Sequence, residues 1–208
     1  MSQIKINLLI SISLSFFLVS FSNADVIDDL KARQGEIKTV SAHFTQEKHT
    51  RLFAKPIKTY GRFFYKQPDG IRWEYMGNVN MHVIYNGKEL WIYYPDLKEA
   101  DKFNGIQQYS SLIHFDISSM SADYDIRALK GKNSLKMTFT PRRKGPVNLI
   151  EMEFAGNSFF PDNIKLTDSS GEETIIRFQE VRLNSDISDE VFRFIPDSRV
   201  IVRERSVK

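Results

Sequence analysis

Four histidines and no cysteine limit the chemistry open to this 208-residue chain. His43, His49, His82 and His114 show neither the two-histidine helical spacing of a zinc site nor a clustered carboxylate partner, so no metal centre is expected. The lack of cysteine excludes thiolate catalysis, disulfide exchange and anchoring through a lipid-modified cysteine at the mature N-terminus. No G-x-S-x-G elbow, P-loop or dinucleotide fingerprint occurs. Asp28-Asp29 stands at a helix start and Glu172-Glu173 beside a turn, where solvation accounts for both pairs. His43 reads as a packed or solvent-facing residue rather than a base. No catalytic residue and no cofactor is expected, and the chain reads as a non-enzyme.

What the sequence does offer is apolar surface. Tyr60 to Pro95 holds both tryptophans and six of the eight tyrosines, in three short runs separated by turn signals. Ile71, Trp73 and Tyr75 alternate with Arg72, Glu74 and Met76, a half-buried strand. Asn86-Gly87 marks a hairpin; with these two residues as its loop, Tyr85 pairs with Lys88, Val83 with Leu90 and Met81 with Ile92. His82, Ile84, Trp91 and Tyr93 then share the other face. Both faces of this hairpin are substantially apolar, so a sheet covered on both sides is implied.

Several elements must position that surface. Residues 1–24 read as a cleaved secretory signal: Lys5, an apolar and serine run from Leu8 to Phe21, and small residues before Asp25. The run falls short of the roughly 20 apolar residues of a membrane span. Residues 25–208 are long enough for one domain with a real core. Asp25 to about Gln34 predicts an amphipathic helix, with Ile37 and Val40 able to continue its apolar face. From Gly105 on, Ile106, Tyr109, Ile113 and Ile117 recur at spacings of three and four, a short helix of low intrinsic propensity whose composition suits a movable cover as well as an ordinary surface helix.

Strands at all-β intervals follow: Leu135-Met137-Phe139, Ile150-Met152-Phe154, Ile164-Leu166, Thr174 to Leu183, Val191 to Ile195 and Val200 to Val202. About ten strands with two helical insertions predict a mainly β, α+β fold built on one strongly curved antiparallel sheet or partial barrel. The formal net charge of +3 falls by one when the leader leaves with Lys5. Such a balance argues against a nucleic-acid partner, and Arg142-Arg143-Lys144 reads as a solvated hairpin tip.

The ordered segments AHFTQ at Ala42 to Gln46, GRFFYKQPDGIRWEY at Gly61 to Tyr75, NGKELWIYYP at Asn86 to Pro95 and SDEVFRFIPDSRVIV at Ser188 to Val202 resemble the periplasmic outer-membrane lipoprotein carrier (LolA-like) family. The resemblance implies an unclosed half-barrel under a helical lid. Its hydrophobic cavity would hold the acyl chains of a triacylated lipoprotein taken from an inner-membrane transporter and passed to an outer-membrane acceptor. By position, Ile71 and Trp73 match cavity-lining residues, and Leu112-Ile113 match the apolar pair of a lid that also contains Ile106 and Tyr109.

With Tyr75 on the same strand face, the expected lining extends to Phe63 and, on the hairpin, Met81, Val83 and Leu90. On the later strands it takes Leu135, Met137, Ile150 and Met152. Large, adaptable side chains suit a cavity that accepts chains without shape matching, although the same residues would serve equally as an ordinary core. One position departs from the family: Gln67 stands before Pro68 where many carriers have an arginine associated with holding the lid closed. A monomeric periplasmic carrier is expected, and a carrier or sensor of other lipids, glycolipid or phospholipid, is the alternative.

Overall fold

The computed structural model describes residues 23–77, 80–104 and 117–206. Helix α1 (Asn23–Gly35) leads into β1 (Thr39–His49), β2 (Ile57–Lys66), β3 (Gly70–Met76), β4 (Met81–Asn86), β5 (Glu89–Tyr94) and β6 (Glu99–Asn104). A one-turn helix α2 (Ile117–Met120) precedes β7 (Tyr124–Lys130), β8 (Ser134–Pro141), β9 (Val147–Ala155), β10 (Asn163–Asp168) and β11 (Glu173–Leu183). A 3-10 turn (Asp189–Phe192) and β12 (Ile201–Ser206) complete the described chain. All strands join one sheet in the order β12-β6-β5-β4-β3-β2-β1-β11-β10-β9-β8-β7, which is not closed into a barrel. Two antiparallel meanders, β1–β6 and β7–β11, are thus sewn together where β11 pairs with β1.

Two local features bend this sheet. The register of β1 against β11 shifts between Ser41 and His43, opposite Glu180, whose φ of 52° marks a bulge; bulges of this kind raise the local twist. Gly61 on β2 leaves no side chain on the inner face, and a Cβ there would lie 1.8 Å from the Glu74 carbonyl oxygen and 2.9 Å from the Phe44 ring. Phe44 fills the space instead, edge-on to Trp73 at 4.9 Å and to Tyr75 at 5.2 Å. Trp73 on β3 also meets Phe178 on β11 at 5.8 Å, although β2 and β1 lie between them. The inner face is therefore concave enough for side chains from both meanders to converge.

Leu30 of α1 and Ile117 and Met120 of α2 lie in the same core as that inner face. Ile37 and Val40 are buried as expected, but they do not extend the helix. Gly35 is its last residue, and the β-branched Thr39 and Val40 open β1.

The opposite face of the first meander is covered by the C-terminal segment. Phe194 meets Tyr93 in a tilted contact at 4.7 Å and Trp91 edge-on at 5.2 Å, closing a second apolar cluster with Ile84, Ala100 and Val200. The Arg72 guanidinium donates to the Val191 carbonyl at 3.0 Å, and Lys66 Nζ to the Ile187 carbonyl at 2.7 Å. This crossing explains why β12 pairs with β6 in parallel, the only non-antiparallel pairing among the described strands. A chain that returns over the back of a sheet arrives in the same direction as the strand it joins.

Two expectations change, and one strand was not foreseen. Val191 to Ile195 is not a strand of the sheet; it forms the 3-10 turn and the strap that follows, because its alternating Phe192 and Phe194 cover a sheet face rather than extend an edge. The hairpin loop is Gly87-Lys88 rather than Asn86-Gly87, so Tyr85 faces Leu90 and Val83 faces Ile92. Asn86 Oδ1 accepts from the Lys88 and Glu89 amides at 3.1 and 3.0 Å, and the positive φ of Gly87 falls on the first loop residue, the position a II′ turn reserves for glycine. The two-residue slip leaves every side chain on its expected face. Finally, β7 was not legible: YDIRALK carries charges at three of seven positions, as an edge strand does.

Candidate functional site

The concave face is built from residues of all the strands β1 to β11, and its lining differs along the sheet. On the first meander, Ile71, Trp73 and Tyr75 share one face of β3 as expected, flanked by Phe63 on β2 and by Met81, Val83 and Tyr85 on β4. Leu90 continues the row on β5, opposite Tyr85. Phe63, Ile71 and Trp73 are buried, whereas Tyr75, Met81, Val83 and Leu90 are half-buried. On the second meander Met137, Ile150 and Met152 are wholly buried and pack through direct cross-strand pairs, with Leu135 half-buried at the end of the row. Ten of the eleven expected lining residues belong to or pack against one apolar cluster, and the eleventh, Met81, faces Tyr75 across β3 and β4 at its border.

Several residues that build the same interior were missing from that expectation. Phe44, Tyr85, Phe178 and Phe160 are all buried in it. Phe160, from the β9–β10 connection, lies 5.9 Å from Phe63 and 4.9 Å from Phe178. For Phe44 and Phe178 the signal was present as alternation with polar neighbours along β1 and β11. Phe160 carries no periodic signal, since a loop residue enters the core only through tertiary placement.

The apolar lining stops at a charged margin. Ile92 on β5 faces Asp101 on β6, which in turn faces Arg203 on β12. Asp101 Oδ1 accepts from Arg203 Nε at 3.2 Å and from Arg205 Nε at 3.0 Å, and Glu99 pairs with Arg203. The interior therefore has a polar edge on the β12 side.

Burial and then the Asp69 charge raise the Tyr85 phenol, and the larger displacement in the lining is that of Tyr75. Burial pushes its phenol up to about 12, so it stays neutral at any ordinary pH. Its hydroxyl donates to Gln46 Oε1 over a long 3.5 Å.

On the outer face lies a compact charged group. Glu74, only 7% exposed, receives Arg62 Nη2 at 2.6 Å on one oxygen and Arg72 Nε at 2.6 Å on the other. Arg72 also contacts His82 Nδ1 at 3.2 Å. Desolvation, and then the Arg72 charge, hold His82 below the usual imidazole range. These groups fasten β2, β3 and β4 to the C-terminal strap through the Arg72 contact with Val191. Among the described residues no group of three or more histidine, aspartate or glutamate side chains is arranged to hold a metal ion.

Gln67 sits at the end of the β2–β3 turn that faces α1. Its amide donates to the Lys38 carbonyl at 2.8 Å, its Oε1 accepts from Lys38 Nζ at 3.0 Å, and its Nε2 donates to the Gly35 carbonyl at 3.3 Å. Its partners among the described residues are thus the C-terminal end of α1 and the ammonium of Lys38, a cation well placed against that helix end. The expected lid residues Ile106, Tyr109, Leu112 and Ile113 lie outside the described residues.

An unclosed sheet whose hollow is lined by apolar and aromatic side chains, part of them accessible, and edged by ion pairs defines an open half-barrel of the kind that encloses apolar matter. The chain belongs to the outer membrane lipoprotein carrier protein LolA family, whose model matches residues 35–195. It is similar to the outer-membrane lipoprotein carrier protein of Francisella philomiragia, with 28% identity over 96% of this chain and 98% of the relative. The corresponding protein of Hahella chejuensis is 26% identical over 88% of this chain and 90% of its own length. The fold is also that of an uncharacterized conserved protein from Thermus thermophilus, with a TM-score of 0.59 and 13% identity over 88% of this chain and all of that one.

Proposed function

We propose that this protein is a periplasmic carrier that takes up the acyl chains of lipoproteins in the hollow of its half-barrel and moves them from the inner to the outer membrane. The observation that carries this reading is the end-to-end match to proteins named as outer-membrane lipoprotein carriers, joined to a lining that a carrier needs. Residues 1–24 act as the export signal. Cleavage after Ala24 removes only the first two residues of α1.

The half-buried residues Tyr75, Met81, Val83 and Leu90 form the receiving surface, and the wholly buried Ile71, Met137, Ile150 and Met152 form its floor. Each buried methylene is worth about 0.8 kcal/mol, so three fully enclosed chains would hardly leave. An open sheet with a partly exposed lining holds them loosely enough for handover. Handover requires an inner-membrane transporter as donor and an outer-membrane acceptor. Segment 105–116 supplies the cover through Ile106, Tyr109, Leu112 and Ile113. Gln67 acts at the joint of α1 and the β2–β3 turn, with Lys38 supplying the nearby positive charge.

Delipidated protein mixed with a triacylated lipoprotein is expected to yield a soluble one-to-one complex on size-exclusion chromatography. Val83→Glu, a charge on the receiving surface, should abolish the complex while the protein stays folded. If the folded parent forms no complex, or if native extracts yield only free phospholipid or glycolipid by mass spectrometry, the reading is lost.

A further inference from the structure

The connection between β1 and β2, residues 50–56, carries apolar side chains that the fold leaves largely exposed. Leu52 is 84% exposed and Phe53 58%, and Ile57 at the start of β2 is exposed as well. Single exposed hydrophobics are ordinary, but three within six residues on a held turn are not. The Leu52 amide donates to Thr50 Oγ1 at 3.1 Å and the Arg51 amide to Glu172 Oε1 at 3.4 Å.

The antiparallel meander brings the β5–β6 turn to the same end of the sheet, and there Leu97 is 65% exposed. Residues 50–58 contain Arg51, Lys55 and Lys58 and no carboxylate. Lys58 is paired with Glu47 at 3.1 Å, whereas among the described residues neither Arg51 nor Lys55 forms a side-chain ion pair.

Adjacent apolar side chains flanked by two cations that form no side-chain ion pair among the described residues match the two zones of an anionic bilayer surface. Leucine and phenylalanine enter the acyl boundary while guanidinium and ammonium groups stay with the phosphates. A protein partner is a poorer match. Leu52, Phe53 and Ile57 together offer less than the roughly 800 Å² per partner of a standard interface.

We infer that the β1–β2 tip is a membrane-docking element for anionic phospholipid bilayers, with Leu52 and Phe53 inserted and Arg51 and Lys55 against headgroup phosphates. No residue of the half-barrel interior takes part, so the inference stands apart from the cargo reading.

Flotation of the purified protein with vesicles of phosphatidylethanolamine and phosphatidylglycerol, or of phosphatidylcholine alone, tests it. The parent should float with the anionic vesicles, and more weakly at high salt. Leu52→Ser with Phe53→Ser, and separately Arg51→Gln with Lys55→Gln, should each weaken binding roughly tenfold. Leu129→Ser, at the opposite end of the sheet and 72% exposed in the parent, should change nothing. In a Phe53→Trp variant, brominated anionic lipid should quench the new indole.

The inference is overturned if the parent does not float, if the paired serine variant floats equally, or if the new indole is not quenched. It also fails if neutral vesicles bind as well and the glutamine pair is without effect. Self-association of the parent in sedimentation velocity, lost in the serine pair, would make a second copy the occupant and equally overturn it.

Discussion

Strands β7–β11 bury Met137, Phe139, Ile150 and Met152 completely on one face and hold a ladder of ion pairs on the other. Lys136 meets Glu151 at 2.8 Å there, and Lys165 meets Glu173 at 2.6 Å. The β1–β6 meander instead carries apolar side chains on both faces, its inner aromatic row and the outer cluster of Ile84, Trp91 and Phe194 under the C-terminal strap. Exposed ion pairs add little stability, so the second meander depends on filled volume in its core. The first meander is clamped from behind, which lets it keep Tyr75, Met81, Val83 and Leu90 only half-covered in front. The proposed receiving surface thus lies on the half whose stability does not depend on that surface being filled.

Gly61→Ala should break this contrast most severely. Its new Cβ would meet the Glu74 carbonyl and the Phe44 ring, neither of which can move without disturbing β3. Urea unfolding should show a loss of about 3 kcal/mol or more, at or beyond the usual range for overpacking. A variant of parental stability would show that the aromatic half has room to adjust.

The next test sets one methionine against another. Met152→Ala in the sealed half should cost about 2–4 kcal/mol, and Met81→Ala in the half-covered row nearer 1 kcal/mol. The reverse order in denaturant midpoints would contradict the division into a floor and a receiving surface.

A smaller effect is expected in alkali. Tyr75 ionises near 12 in the folded protein, against an ordinary value of 10.0, so the unfolded chain loses this proton first as pH rises. Its contribution to stability is whole below about 10 and declines through about 12. Thermal melts across that range should fall less steeply for Tyr75→Phe than for the parent, and parallel curves would place the sensitivity elsewhere.

The slightest change should come from Gln67→Arg, which sets a guanidinium beside the Lys38 ammonium and loses the accepting oxygen that now holds it. A loss of under about 1 kcal/mol is expected at this exposed site. Combining it with Lys38→Gln should restore stability. If the single change stabilises the protein, the Lys38 contact is not what fixes this joint.

Most strands and their faces were legible because burial on one side imposes a period of two, and Ile71-Trp73-Tyr75 or Leu135-Met137-Phe139 display it directly. The hairpin partners were not, since Asn86-Gly87 permits two loops that leave every face unchanged. Only the hydrogen bonds from Asn86 Oδ1 select one. Phe192 and Phe194 alternate like a strand but serve as a strap, and Phe160 reaches the interior from a loop. Neither placement is encoded locally.

By itself the sequence determined the alternation of its strands, the aromatic concentration between Tyr60 and Pro95, and the carrier-like order of its motifs, because each of these is written in neighbouring residues. Tertiary structure alone decided which part of the lining is sealed and which half-covered. It also decided that Lys38 is the cation beside Gln67, and that Leu52 and Phe53 find no core. Those outcomes depend on which distant side chains fill the space above each residue, and no local pattern carries that information.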